Sequence, residues 1–179
     1  MKKILFFAAI TVFCMSSVNA QDGQTSKGKW LIEANTGFNT SGDEVGLLKH
    51  SANTGFGLSS VDGNTAWAIG AEGGYFIMDD LAVKLGLGYT DLDFATIFSY
   101  KVGAKYYVIS KIPVQIDING ASIKDLDDNP LWLGLQAGYA IFLGEHISVE
   151  PGLRYSLSLN EEFTDIGIFE ARIGFVLHF

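Results

Sequence analysis

Cysteine is almost missing from this chain of 179 residues, because Cys14 is the single cysteine and lies in an N-terminal segment that we expect to be removed. A mature chain without cysteine excludes a disulfide framework, thiolate chemistry and cysteine-ligated metals. Only 3 prolines accompany 21 glycines and a 13% aromatic content, a composition that favours strands and turns. No run of 18 apolar residues follows the N-terminal segment, so the sequence predicts no transmembrane helix.

The N-terminal segment, residues 1–20, has the pattern of a secretory signal peptide. Lys2 and Lys3 provide a positive start, Ile4 to Met15 is apolar, and Val18 to Ala20 ends in small residues. The apolar run is too short to cross a bilayer as a helix, which argues against a retained anchor. We therefore predict a mature chain that begins at Gln21 and forms one domain over residues 21–179.

Basic residues are scarce. The chain has 12 Lys and Arg against 20 Asp and Glu, and loss of two lysines with the signal segment would leave 10 against 20, a formal charge of −10. Nucleic-acid binding needs a basic patch, so we expect no nucleic-acid partner.

Alternation of apolar and polar residues runs through the rest of the sequence. In residues 147–159, apolar residues occupy every second position from Ile147 to Leu159, and polar or small residues lie between them. A period of two indicates a strand with one apolar and one polar face. The same pattern predicts an all-β, eight-stranded antiparallel up-and-down transmembrane β-barrel with strands near 29–39, 65–76, 81–90, 94–108, 112–122, 131–143, 147–159 and 166–179.

The predicted connections alternate in length. Tight turns at 78–80, 109–111 and 144–146 would form one rim, and longer loops near 40–64, 91–93, 123–130 and 160–165 the other, the pattern of outer-membrane barrels. Thr54 to Ser60 is expected to extend the first hairpin. Pro151 predicts a bulge or an unpaired group in its strand, and Gly120 weakens the apolar face of another.

Charge decides which face looks outward. The apolar faces of the predicted strands carry no charged residue, whereas the polar faces carry five acids and five bases, a combination that a soluble lipocalin-like interior could not hold. These ten residues form the predicted lumen network: Glu33, Glu72, Lys84, Lys101, Lys105, Asp117, Glu150, Arg154, Glu170 and Arg172. Aromatic girdles are expected from Trp30, Tyr75, Tyr106 and Phe179 at the periplasmic side and from Phe38, Trp67, Tyr89 and Phe94 at the outer side.

The last strand, residues 169–179, has apolar residues at every second position and ends in Phe179. It resembles the C-terminal assembly signal of outer-membrane barrels, and residues 73–83 are similar to a strand–turn–strand unit of small barrels of the OmpA, OmpX and OmpW kind. This resemblance implies a monomeric protein of the bacterial outer membrane, Phe179 as assembly signal, the barrel assembly machinery as a partner, and contact with membrane lipid and lipopolysaccharide.

Signals for chemistry are weak. The three histidines do not form a nucleophile–base group, and no phosphate-binding or zinc-binding spacing occurs, so we expect no enzyme, catalytic residue, metal site or cofactor. The predicted outer loops are acidic. We expect them to be solvated loops rather than sites of divalent-cation bridging to lipopolysaccharide.

Two functions fit this sequence. In the first, the lumen is plugged by side chains and the protein has a structural role or interacts through its outer loops. In the second, Trp132, Phe76, Ile97 and Tyr107 line a narrow channel or transport route for small or hydrophobic solutes. An eight-stranded barrel is only wide enough for its own side chains to fill it, which favours the first. Within the plug, depth estimated from the turns predicts pairs between Glu72 and Lys84 and between Lys105 and Asp117, and places Arg154, Glu170 and Arg172 near Glu150 or Glu33.

Overall fold

The fold was obtained as a computed structural model and is described for residues 23–39, 55–61, 64–92, 95–124, 129–162 and 167–179. The predicted signal segment and much of the predicted outer loops therefore lie outside the described residues. The strands are β1 (Trp30–Asn39), β2 (Phe56–Val61), β3 (Asn64–Met78), β4 (Leu81–Leu92), β5 (Ala95–Val108), β6 (Ile112–Ile123), β7 (Leu131–Gly138), β8 (Ile141–Phe142), β9 (Ile147–Ser158) and β10 (Ile168–His178).

These strands form a closed antiparallel barrel, as the sequence predicted. From β3 to β10 each strand pairs with the next strand along the chain, and β7 and β8 together occupy one strand position in the wall, beside β9. The wall is closed by β1, which pairs with both β10 and β3. The expected meeting of the chain ends is confirmed, because Trp30 and Phe179 exchange two backbone hydrogen bonds of 2.7 and 3.0 Å. The result is an eight-stranded up-and-down barrel.

The extension of the first hairpin is also present, as β2. This strand pairs with the first half of β3, from Phe56 opposite Ile69 to Val61 opposite Asn64. Consequently β1 pairs with β3 only between residues 30 and 33, whereas its pairing with β10 continues to Asn39.

The predicted sixth strand is interrupted at residues 139–140, between β7 and β8. The interruption lies opposite Pro151. Tyr139 N–H donates to the Pro151 carbonyl at 2.9 Å, but Pro151 has no N–H with which to donate back to the Tyr139 carbonyl. The pairing of β9 with β10 continues through Pro151 without a shift. Of the two expected consequences of Pro151, the structure therefore shows the unpaired group and no bulge in that ladder.

The outward face is apolar along the strands. Among the described outward positions of the strands the charged exception is Asp91, which the prediction placed in a loop and which lies near the end of the longer β4. Gly120 does not leave a gap, because a side chain at this position would meet the ring of Tyr100 on the neighbouring strand.

Aromatic rings cluster at both ends of this outward face. The rings of Trp30 and Tyr75 lie 4.9 Å apart near the rim with short turns, and those of Trp67 and Tyr89 lie 5.4 Å apart near the other rim. The side chain of Phe38 and the whole of Phe94 fall outside the described part.

Candidate functional site

The lumen holds all ten charged residues that the sequence placed there, and each is buried. They project inward because the strand pleat sends alternate side chains to the interior. Five carboxylates and five cations give this interior a formal balance of zero, although the whole chain carries −8.

Lysine and glutamate side chains form a chain of ion pairs across four strands. Lys101 Nζ lies 2.6 Å from Glu72 Oε1, and Lys84 Nζ lies 2.7 Å from the other oxygen of Glu72. Lys84 also contacts Glu33 at 2.6 Å. The expected contact between Glu72 and Lys84 is thus present, and Asn35 donates a further hydrogen bond of 3.1 Å to Glu72.

Lys105 extends this chain across the bore. Its Nζ lies 2.7 Å from Glu33 Oε2 on β1 and 2.5 Å from Glu150 Oε2 on β9. Tyr107 and Ser148 donate to the second oxygen of Glu150, at 2.8 and 3.0 Å. One ammonium group therefore links opposite walls of the barrel.

Asp117 and Arg154 form a bidentate ion pair in the lumen. Both terminal nitrogens of Arg154 lie 2.7 Å from the two Asp117 oxygens, a bidentate geometry that combines charge and direction. Gln115 and Asn119 each donate to Asp117, at 2.7 and 2.9 Å. Lys84 donates to Gln115 at 2.9 Å and so joins this pair to the chain of lysines and glutamates.

The expected pair between Lys105 and Asp117 was wrong. Lys105 lies opposite Gln115 in the ladder, and the residue opposite Asp117 on that strand is Gly103. On its other side Asp117 faces Gly134, which leaves room for the Arg154 side chain to arrive from β9. A methyl group at Gly134 would come within 1.9 Å of Arg154 Nη2.

Arg154, Glu170 and Arg172 were expected within reach of Glu150 or Glu33. The structure instead pairs Arg154 with Asp117, and Arg172 Nη2 lies 3.2 Å from Glu170 Oε2 on the same strand. Glu150 and Glu33 are held by Lys105. Position in the ladder explains this, since the neighbours of Arg172 are glycines.

Glycine lies opposite several of these charged residues. Glu72 and Lys101 both face Gly86, and Glu150 faces Gly174. Since glycine has no side chain, it supplies the volume that a long charged neighbour needs in a barrel this narrow. The same glycines were visible in the sequence, and only the register shows what they accommodate.

Apolar side chains pack inside the barrel at the end with the short turns. They form one buried cluster beneath the charges, and His178 packs against it, with its ring 5.5 Å from Phe142 and its Nε2 3.0 Å from Ser148 Oγ. The cluster contains Leu31, Phe76, Ala82, Tyr107, Ala140, Phe142 and Val176.

A segment that the sequence did not single out lies at the same end of the barrel. Residues 23–29, which we call the N-terminal strap, precede β1 and bind to two of the short turns. The Thr25 hydroxyl donates to Asp80 Oδ1 at 2.5 Å, and the Thr25 carbonyl accepts a hydrogen bond from the backbone N–H of Asp80. The side-chain amide of Gln24 donates to the carbonyl of Gly144. Lys27 N–H donates to Asp79 at 2.9 Å. These short polar residues have no periodic signal.

The four residues predicted to line a transport route all face the interior and are buried. Phe76 and Tyr107 belong to the buried apolar cluster, with ring centroids 6.0 Å apart. Ile97 and Trp132 both lie near the other rim of the barrel, at the first residues of β5 and β7. The charged layer lies between these two groups, so they do not form one apolar path.

Chemistry-bearing groups are few in the described chain. No group of three or more His, Asp or Glu suited to a metal ion occurs among residues whose placement is described. His178 contacts Ser148, but the acid Glu150 contacts Ser148 rather than the imidazole, so no nucleophile–base–acid relay forms. Most of the acidic loop residues lie outside the described ranges.

No helix in the described ranges has the length and hydropathy required to cross a membrane.

Comparisons with known proteins agree on the fold. The N-terminal β-barrel domain of Pseudomonas aeruginosa OprF is 14% identical, with a TM-score of 0.53, and the match covers 86% of this chain and 98% of that one. The outer membrane protein OprG from Pseudomonas aeruginosa is 15% identical, with a TM-score of 0.53 and coverage of 88% and 99%. The chain has the fold of the small outer-membrane β-barrels. No family model and no curated protein sequence matches it.

Proposed function

We propose that this chain is an integral outer-membrane barrel whose lumen is plugged by side chains, and that it acts as a structural or surface-interaction protein. The observation that carries the proposal is the Lys105 ammonium, which is fully buried and bonded to glutamates on β1 and β9. A group that links opposite walls leaves no open path at its level, and the apolar cluster and the N-terminal strap lie below it.

Membrane insertion is supported by the two faces of the wall. Large apolar side chains such as Leu85 and Phe175 are 64% and 53% exposed along the strands, while the ten charged residues of the lumen network are buried inside. Lipid can cover the first set and could not solvate the second. We place the short turns in the periplasm and the longer loops outside, as in other outer-membrane barrels.

The outer loops are the remaining surface through which such a barrel can act. Among the described residues the interior holds no relay of catalytic groups, and a plugged lumen leaves no place inside for a substrate. We therefore propose no enzymatic activity, and contacts of the loops with lipopolysaccharide or another molecule at the cell surface.

Conductance in planar bilayers tests the plug. Wild type is expected to show no steady current, whereas Tyr107→Ala combined with Phe142→Ala should increase ion leakage by thinning the periplasmic closure. Leu85→Ala, on the lipid-facing side, is the matched control and should remain closed. Steady conductance of wild type as a wide channel would overturn the plug and favour transport.

A further inference from the structure

A groove of about 620 Å³ lies on the outer surface of the barrel. Most of its lining comes from outward side chains of β4, β5, β6, β7, β9 and β10, and it is also lined by Gln115, Gln136 and Arg154, which are buried. Its lining includes Ala104 and Ala137, which contribute only a methyl group, and the aromatic rings of Tyr106, Tyr155 and Phe169. The wall is therefore recessed at the alanines and raised at the aromatic residues.

The register shows that the groove follows two neighbouring rows of the sheet. One row joins directly paired residues from Ala104 through Ile116 and Leu135 to Tyr155 and Phe169. Such a row runs across the strands, so it is continuous from β5 to β10.

The second row lies two residues closer to the periplasm. It starts at Leu81, directly after the turn at 79–80, and continues through Tyr106, Val114 and Ala137 to Leu153. The groove therefore begins at the periplasmic rim and climbs as it passes around the wall.

We propose that this groove binds one acyl chain of a phospholipid from the periplasmic leaflet. The inference rests on the membrane-spanning placement proposed above and adds a defined lipid site to it. The groove is continuous with the lipid-facing band, and its lower end lies where the headgroups of the periplasmic leaflet would be.

Length supports an acyl chain as the occupant. The whole groove crosses six adjacent strands, from Leu81 on β4 to Phe169 on β10, which is about five intervals of ~4.8 Å, or roughly 24 Å across the strands. Because barrel strands tilt by about 35–45°, a groove of this length climbs about 15 Å along the membrane normal. This matches one leaflet, which is half of a hydrocarbon core about 30 Å thick.

Photo-crosslinking tests the site. The purified full-length mature chain would be reconstituted in phosphatidylcholine vesicles with a small fraction of phosphatidylethanolamine that carries a diazirine on one acyl chain, and labelled positions would be mapped by mass spectrometry. A diazirine near the glycerol should label the end at Leu81 and Tyr106, and one near the terminal methyl should label the part at Leu135 and Tyr155.

Two alanine variants complete the test. Ala137→Phe fills the groove and should lower labelling there by about tenfold, since about ten carbon–carbon contacts of the bound chain are lost. Ala71→Phe places the same ring at an exposed outward position of β3 and should leave labelling of the groove unchanged. Both variants should unfold with the wild-type midpoint in detergent.

Several outcomes would overturn the proposal. Equal labelling around the whole barrel, or no effect of Ala137→Phe, would mean that no chain is held in the groove. Reversed labelling by the two diazirine positions would mean that the chain enters from the outer leaflet, and crosslinks between two copies would mean that the groove is a dimer interface. A failure of the membrane placement itself would differ from these, because labelling would then be lost at every position.

Discussion

Replacement of Arg154 by alanine is the sharpest test of the lumen network. Arg154 is fully buried and gives Asp117 two hydrogen bonds of 2.7 Å. Its removal leaves a buried carboxylate with the amides of Gln115 and Asn119 as donors. Removal of one partner of a buried ion pair costs about 3–5 kcal/mol. Because two neutral donors remain, we expect a loss of unfolding free energy at the lower end, about 3 kcal/mol.

The assay is reversible urea unfolding in detergent micelles, followed by the mobility of the folded barrel on unheated gels. Free energies come from linear extrapolation, so the variants must share the wild-type slope. Lys124→Ala is the matched control, since it removes an exposed cation and should change stability by no more than about 0.5 kcal/mol.

A double variant separates the ion pair from general damage to the interior. Asp117→Leu with Arg154→Met removes both charges and keeps apolar volume, so it should recover most of the loss, because apolar replacement of a buried pair is often neutral or stabilising by about 1–4 kcal/mol. The reasoning is refuted if Arg154→Ala unfolds like wild type, or if the double variant is as unstable as the single one.

Two further substitutions and one deletion, with a control, test other parts of the structure. Gly134→Ala should lower unfolding free energy by about 1–3 kcal/mol, because its methyl group would collide with the ion pair, whereas Gly73→Ala, which meets nothing within 4 Å, should change it by no more than about 0.5 kcal/mol. Thr25→Val removes the strap's hydrogen bond to Asp80 and should cost about 1 kcal/mol and speed proteolysis at the N-terminus; unchanged cleavage would argue against a bound strap. Removal of Phe179 should lower outer-membrane levels more than it affects folding in detergent, and normal levels would contradict its role as assembly signal.

The barrel could be predicted from the sequence because the strand pleat sends every second side chain to the same face, so that the alternation of residues along a strand shows which side chains enter the lumen. Glu150 and Arg154 lie four residues apart on one strand, so they had to share a face whatever the rest of the chain did. Tight turns then joined antiparallel neighbours, and closure followed from the cost of an open edge in lipid. Each of these steps uses information within about fifteen residues.

The partners inside the lumen could not be predicted in the same way. Depth estimated from a turn compares adjacent strands, whereas Lys105 reaches β1 and β9 across the bore and Arg154 reaches β6 over Gly134. In a narrow barrel a long side chain is as close to distant strands as to its neighbours. The strap was missed for another reason, since its contacts from Thr25 to Asp80 join residues 55 positions apart and leave no periodic trace.

The ion pairs also explain how the chain specifies one register rather than several. Both faces of an apolar-filled barrel would be hydrophobic, and a one-residue slip, which exchanges the two faces of a strand, would then cost little. Here such a slip of β9 would carry Glu150 and Arg154 into lipid, at up to about 2–4 kcal/mol for a cation at mid-membrane. It would also take Glu150 away from Lys105 and would leave the buried carboxylate of Asp117 without its cation. Buried pairs add little net stability to the correct state, so their main effect is to raise the energy of the wrong one. The same ten residues thus determine which side of the strands that carry them faces the membrane.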